Sequence, residues 1–243
     1  MSYISKSLLV VIPAFNEENT IGQVVETLLE IGYKVLVVDD GSTDETYQVA
    51  SNLGAAVLRL PLNLGVGGAL RAGFQFALRN AYDTVIQIDA DGQHPIHEIV
   101  NLVTKANQSD AHMVIGSRFK ERKNHMEIGI FRRAVMYSMA SIASRATGER
   151  LTDVTSGFRL IRAPLLASFA SSFPCYYLGD TYEAVVVAGR AGYKIVEIPA
   201  TITDRVYGTS SASKAQSIMF IVKAIVIVLL RLHPPINRVP IDS

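Results

Sequence analysis

Two apolar runs in this chain stop abruptly at carboxylates. Val35-Leu36-Val37-Val38 leads into Asp39-Asp40-Gly41-Ser42-Thr43-Asp44, and Val85-Ile86-Gln87-Ile88 leads into Asp89-Ala90-Asp91-Gly92-Gln93. Short, β-branched and almost uninterrupted, such runs read as strands buried on both faces, the pattern of a parallel sheet. Charge at their ends then falls on the carboxyl edge of the sheet, where open α/β folds bind ligands. A third signature, Asp153-Val154-Thr155-Ser156-Gly157-Phe158-Arg159, follows later.

The segments between these runs have helical spacing. Asn19 to Ile31 carries Ile21, Val24, Val25, Leu28 and Leu29, with Gly32 as a stop. Ser42, with Glu45 three residues on, reads as the capping box of a helix running to Leu53. Strands are expected at Ser7–Ile12, Lys34–Val38, Ala55–Leu58, Thr84–Ile88 and Met113–Ile115, and a helix at Gly67–Asn80. Pro95 opens another helix at its first turn. The alternation predicts an α/β fold, a mainly parallel sheet with helices on both faces. Beyond Gly116 a polar, basic loop to Gly129 precedes a helix over Ile130–Thr147, a strand over Ser156–Ile161, a helix over Gly179–Ala191 and a strand over Ile195–Pro199.

A formal charge of +1 over 243 residues excludes a general nucleic-acid binder. Cys175 is the single cysteine, so no internal disulfide frame exists, and a small buried side chain is its simplest role. Leu8–Ile12 is short, is broken by Pro13 and leads into Asn16-Glu17-Glu18, so it reads as a first strand rather than a leader.

Glycine-rich phosphate loops are excluded on residue identity. Gly65-Val66-Gly67-Gly68-Ala69-Leu70 puts Leu70 where a dinucleotide fold needs glycine, and Phe74-Gln75 stand where a P-loop needs Lys-Ser/Thr. The carboxylates are left to do the work. In an extended segment Asp89, Asp91 and Gln93 would face one side and offer oxygen ligands to Mg2+ or Mn2+. The alternative is a pair of turn residues bonded to their own backbone. His94 is a further candidate ligand, although a solvated helix start also accounts for it. Asp39 and Asp40 are acceptors suited to a base N–H or a ribose hydroxyl.

Val11-Ile12-Pro13-Ala14-Phe15-Asn16-Glu17-Glu18, Asp39-Asp40-Gly41-Ser42, Asp89-Ala90-Asp91 and Ser156-Gly157-Phe158-Arg159 together resemble the family 2 glycosyltransferases of GT-A fold, a Rossmann-like architecture. Asp204-Arg205-Val206-Tyr207-Gly208-Thr209-Ser210 is similar to a late segment of the polyprenyl-phosphate transferases among them, with Ser211 where that group usually has Lys and Lys214 close behind. The resemblance covers about residues 8–211 and implies a catalytic domain over 1–211, followed by a tail over 212–243.

It further implies roles. Pro13, Ala14, Glu17, Asp39, Asp40, Gly68, Arg71 and Asp89 are placed at the nucleotide, and Asp89, Asp91 and Gln93 at the cation. Asp153, Asp91 and Arg118 are the catalytic candidates, with Glu183 a further carboxylate. Arg118, Arg132 and Arg133 form a clamp for the acceptor phosphate, and Arg205 belongs with the phosphates. The basic run Arg118, Lys120, Arg122, Lys123, Arg132, Arg133 also suits anionic headgroups, or is simply solvated.

Ile218–Leu230 holds one charge, Lys223. As a helix it spans about 20 Å, short of a bilayer core of about 30 Å. It is expected to pack on the domain, on another subunit of a homo-oligomer, or in a membrane surface. The expected activity is inverting transfer of one sugar from a UDP- or GDP-linked donor to a polyprenyl phosphate. The site is the cytosolic membrane face, the enzyme peripheral there. A soluble or glycan hydroxyl acceptor, and a non-catalytic nucleotide-sugar-binding protein, are the alternatives.

Overall fold

The structure is a computed structural model that describes residues 7–119, 130–174 and 180–202, with backbone alone for 130–135 and 180. Strands β1 (Leu8–Ala14), β2 (Lys34–Asp39), β3 (Ala56–Arg59), β4 (Thr84–Gln87), β5 (Met113–Ser117), β6 (Arg159–Arg162) and β7 (Ile195–Pro199) form one sheet in the order β3-β2-β1-β4-β6-β5-β7. Helices are α1 (Ile21–Ile31), α2 (Thr46–Asn52), α3 (Gly65–Arg79), α4 (Ile99–Ser109), α5 (Ile130–Thr147), α6 (Leu165–Ser172) and α7 (Asp180–Arg190).

The alternation of side chains sorts the apolar residues into two cores. Val11, Leu36, Val38, Val85, Ile115 and Ile161 face α3, α5, α6 and α7. Val10, Ile12, Val37, Ile86, Val114 and Leu160 face α1, α2 and α4. Each such buried side chain contributes about 1.5–3 kcal/mol. Helix α1 shows the local logic: Ile21, Val24, Val25 and Leu28 are its buried stripe, and Gly32, at φ +96°, closes it by donating to the carbonyls of Leu28 and Leu29.

Strand β1 pairs in parallel with β2 on one side and β4 on the other, Ala14 lying opposite Asp39 and Val11 opposite Gln87. The chain therefore reverses its winding at β1, and the carboxyl ends of β1, β2 and β4 open onto one crevice, the usual place for a ligand.

The sheet is mainly parallel, as expected, and β6 alone among the described strands runs antiparallel, to both β4 and β5. Several other expectations need correction. Strand β6 starts at Arg159 rather than Ser156, because Ser156 Oγ accepts the Phe158 N–H and turns the chain. Helix α6 was not anticipated. No capping box forms at Ser42: α2 begins at Thr46, whose N–H donates to Asp44 Oδ1. Ser42 Oγ is instead occupied by the Asn16 N–H. Pro95 opens a 3-10 turn, Ile96–Glu98, ahead of α4. The tail helix and the 211/212 boundary lie outside the described residues.

Candidate active site

The crevice is built by two crossing loops. Asn16, at φ +55°, turns the chain after β1 and accepts the Thr43 N–H through Oδ1 (2.9 Å), while its own N–H donates to Ser42. Glu17 N–H donates to Thr46 Oγ1, Glu18 N–H to Asp44, and Glu45 N–H to Glu18. These bonds span the gap between the β1–α1 and β2–α2 connections. Pro13 and Ala14 form the floor at the end of β1, and Glu17 sits above them, half-buried, holding the Thr20 hydroxyl at 2.9 Å.

Asp39 is fully buried. Its carboxylate accepts the Ser42 N–H (2.8 Å) and lies 3.3 Å from Arg59 Nε. Arg59, at the end of β3, also donates to Ser42 O (3.2 Å) and covers the Tyr47 ring. Asp40 accepts the Leu64 N–H at 2.8 Å. Burial holds the Asp40 carboxyl above its ordinary value and the Asp39 charge adds to this, against the opposing pull of the Leu64 and Gly65 amides. A raised carboxyl in the fold costs stability as pH rises from the unfolded-state value through the folded one. Asp40→Asn should therefore raise the urea midpoint at pH 7, and the gap from wild type should close below about pH 4. An unchanged midpoint at pH 7 would show that Asp40 carries no such cost.

Gly68 serves the same corner: a Cβ there would lie 2.5 Å from Leu64 Cβ, so glycine lets Leu64 tuck in and present its N–H to Asp40. Arg71, on α3, donates from Nη2 to Ser171 O (2.6 Å) on the last turn of α6, a helix-end contact.

Past β4 the segment does not stay extended. It turns at Ala90-Asp91, with Gly92 at φ +74°, and Asp91 Oδ1 accepts the Gln93 N–H (3.1 Å). Asp91 is nearly buried while the Asp89 side chain is 41% exposed. Against Asp89 lies the third signature. A Cβ on Gly157 would come within 2.5 Å of both Asp89 carboxylate oxygens, so glycine leaves the space that this carboxylate fills. The oxygen donors Asp89, Asp91 and Gln93 fit a hard divalent cation. Among the described residues no three His, Cys, Asp or Glu side chains form a ready cage. A cation here would complete its shell with phosphate and water oxygens, as magnesium commonly does.

Asp153 is sealed off by Arg118. Arg118 Nε reaches Oδ2 at 2.7 Å and Nη2 reaches Oδ1 at 2.9 Å, and the Arg118 backbone N–H adds a third bond to Oδ2 (3.1 Å). The Asp153 side chain is 0% exposed, Arg118 25%. Pairing with Asp153 and the field of Asp89 raise the Arg118 guanidinium against its burial cost. Thr155 Oγ1 adds a fourth bond, to Oδ1 (3.2 Å), so the Asp153 carboxylate is turned onto the Arg118 guanidinium with its acceptor sites taken.

Two buried charges support this pair, and sequence reading gave neither a role. Glu197, on β7, accepts the N–H groups of Thr152 (2.8 Å) and Asp153 (2.7 Å). Arg159, fully buried, donates to three carbonyls: Ser156 (2.7 Å), Val154 (2.8 Å) and Thr181 (2.8 Å). Burial pushes it down to about 10, Asp153 and Asp89 opposing. The available signal was a charge inside an apolar strand, in Ile195-Val196-Glu197-Ile198 and Phe158-Arg159-Leu160-Ile161. Glu183 lies buried on α7. Arg132 and Arg133 are on the first turn of α5, where only the backbone is described; Lys120, Arg122, Lys123, Cys175 and Arg205 lie outside the described residues. An apolar groove of about 350 Å³ lined by Leu8, Tyr33 and Val103 sits at the opposite, amino edge of the sheet.

Comparison with known proteins gives the family and the fold. The profile of "Glycosyl transferase family 2" matches residues 9–169. The polyprenol monophosphomannose synthase of Mycolicibacterium smegmatis is 32% identical over 230 residues, covering 87% of this chain and 84% of its own. The undecaprenyl-phosphate mannosyltransferase of Micrococcus luteus is 31% identical over 216 residues, covering 85% and 87%. Among solved structures, glucosyl-3-phosphoglycerate synthase from Mycobacterium tuberculosis, in complex with Mn2+, UDP and glucosyl-3-phosphoglycerate, superposes with a TM-score of 0.66 at 21% identity, over 92% of this chain and 78% of that one. The fold is GT-A.

Proposed function

Because the chain belongs to glycosyl transferase family 2, we propose that this glycosyltransferase moves one sugar, with inversion, from a UDP- or GDP-linked donor to a polyprenyl phosphate. The observation that carries the reading is the closed Arg118–Asp153 pair. A hydroxyl acceptor needs a base to take its proton, and the carboxylate in the expected place has both oxygens committed. A phosphate acceptor is already anionic at neutral pH and needs a cation to position it instead. The two relatives named for polyprenol and undecaprenyl-phosphate mannose transfer support the same choice.

In this reading Pro13, Ala14, Glu17, Asp39, Asp40 and Gly68 hold the nucleoside at the ends of β1 and β2. Arg71 belongs with them as a supporting side chain, its Nη2 held by Ser171 O. Asp89, Asp91 and Gln93 would hold Mg2+ or Mn2+, which supplies charge neutralisation at the donor diphosphate. The Mn2+–UDP complex of the structural neighbour supports this. Arg118, with Arg132, Arg133 and Arg205, meets the acceptor phosphate. An oxygen of that phosphate forms the new bond to the anomeric carbon on one face as the bond to the diphosphate breaks on the other. No proton moves.

Arg118 keeps its Nε–Nη2 fork on Asp153, so it meets the phosphate as a fixed positive charge rather than through that fork. Among the described residues no helix is long and apolar enough to cross a membrane. The basic run and the apolar tail over 218–230 together would supply the two signals that peripheral attachment at the cytosolic face requires. Neutralising Arg132 and Arg133 together should raise the KM for a short polyprenyl phosphate at least tenfold while leaving the KM for the nucleotide sugar within about twofold, the scale of losing charge-assisted phosphate bonds. Equal acceptor kinetics in the double variant, with faster turnover on a water-soluble hydroxyl acceptor, would refute the lipid-phosphate reading. Removal of residues after Ser217 should weaken liposome binding; a broken dimer or an unfolded domain would assign the tail a structural role.

A further inference from the structure

The Asp89 side chain is part-exposed in the crevice, yet it is framed on two sides. Its backbone N–H donates to His94 Nδ1 at 3.0 Å. An imidazole nitrogen that accepts a hydrogen bond carries no proton, so the neutral ring has its proton on Nε2. That nitrogen lies 3.5 Å from Asp89 Oδ2. One ring therefore addresses one residue twice, as acceptor for its backbone and as donor facing its carboxylate. The ring itself is locked: its side chain is 4% exposed and it lies against Phe158, centroids 5.4 Å apart. On the other side Gly157 leaves just enough room for the carboxylate.

We propose that His94 is a positioning residue that holds the Asp89 carboxylate ready for a divalent cation, and is not itself a ligand to that cation. The inference rests on the cation reading of Asp89 and Asp91. Neither His94 nitrogen offers a lone pair to a metal: Nδ1 is taken by the Asp89 amide and Nε2 carries the proton. Partners behind a ligand of this kind fix its orientation, and their loss commonly costs 10- to 100-fold in metal affinity or activity. His94 also joins the two motifs across the sheet, since Phe158 follows Gly157 directly.

Three substitutions separate the two contacts. His94→Phe keeps the ring stacking on Phe158 and removes both nitrogens. His94→Asn places an amide oxygen near the position of Nδ1 and restores the acceptor. His94→Gln places an amide N–H near the position of Nε2 and restores only the donor. Mn2+ binding is read from the loss of the free-ion electron paramagnetic resonance signal, with Mn2+ alone and with UDP or GDP added.

The apparent Mn2+ dissociation constant in the presence of the diphosphate should rise about 10- to 100-fold in His94→Phe. His94→Asn should recover most of the loss and His94→Gln less. At saturating Mn2+ the turnover of His94→Asn should return to near the wild-type value. Wild-type affinity in folded His94→Phe overturns the proposal. Should that variant not fold, the remaining pair decides, and tighter binding by His94→Gln than by His94→Asn overturns it. Failure of the underlying cation reading looks different: the wild-type protein would bind no Mn2+ with either diphosphate and would turn over in excess chelator.

Discussion

Asp91→Ala is expected to lower turnover by about 100- to 1000-fold, the scale of removing preorganised charge stabilisation from a reacting centre. The carboxylate is nearly buried, and Oδ1 is pinned by the Gln93 N–H at the turn that Gly92 permits. Its position is therefore set before any ligand arrives. Alanine removes both the charge and the bond that holds the turn, so Gln93 loses its place as well. The check is steady-state kinetics across a Mn2+ titration, with wild type assayed in excess chelator. Wild-type activity should vanish in chelator, and raising Mn2+ should not restore the variant. Full wild-type activity in chelator would sink the cation reading.

Arg159→Met is expected to cost roughly 3–5 kcal/mol of folding stability, because it leaves the buried carbonyls of Val154, Ser156 and Thr181 without donors. Methionine keeps much of the side-chain length, so lost volume is a small part of the effect. Arg159→Lys should recover little. A lysine ammonium has no planar fork to reach carbonyls lying in three directions. Urea denaturation measures the difference. A loss below about 1 kcal/mol would mean that the carbonyls find other partners and that the guanidinium is no keystone of the 153–157 loop.

Much of the fold was legible because periodicity and burial coincide. Helix α5 (Ile130–Thr147) and strand β7 (Ile195–Pro199) fall where the sequence places them, and Gly32 stops α1 as expected. The misreadings have tertiary causes. Ser42 has the form of a helix cap, but its hydroxyl is taken by Asn16, which is adjacent only once β1 and β2 are paired. The direction of β6 is not written in Arg159–Arg162, since so short a strand pairs either way.

The Asp-x-Asp box was recognisable by composition. The alternation invoked to gather its donors is replaced by a turn, and the approach of Gly157 to Asp89 joins positions far apart in the chain. The Arg118–Asp153 pair was the least legible feature. Both residues are catalytic candidates in the sequence, but they lie 35 positions apart, and only the folded loop, with Glu197 holding the Asp153 N–H, brings them face to face.

The antiparallel strand β6 also governs the order in which the sheet can assemble. It lies between β4 and β5, so those two strands never pair with each other. A nascent chain that has emerged only as far as Ser117 can dock β1 to β4, but it leaves one edge of β4 open and β5 without a neighbour. That state persists until Arg159–Arg162 leave the ribosome, several seconds later at synthesis rates of about 5–20 residues per second. An open apolar edge is a template for the wrong strand. The interval between Gln87 and Arg159 is thus where this chain is most exposed to chaperones and to aggregation, and a break in the message there yields a product that cannot close its sheet.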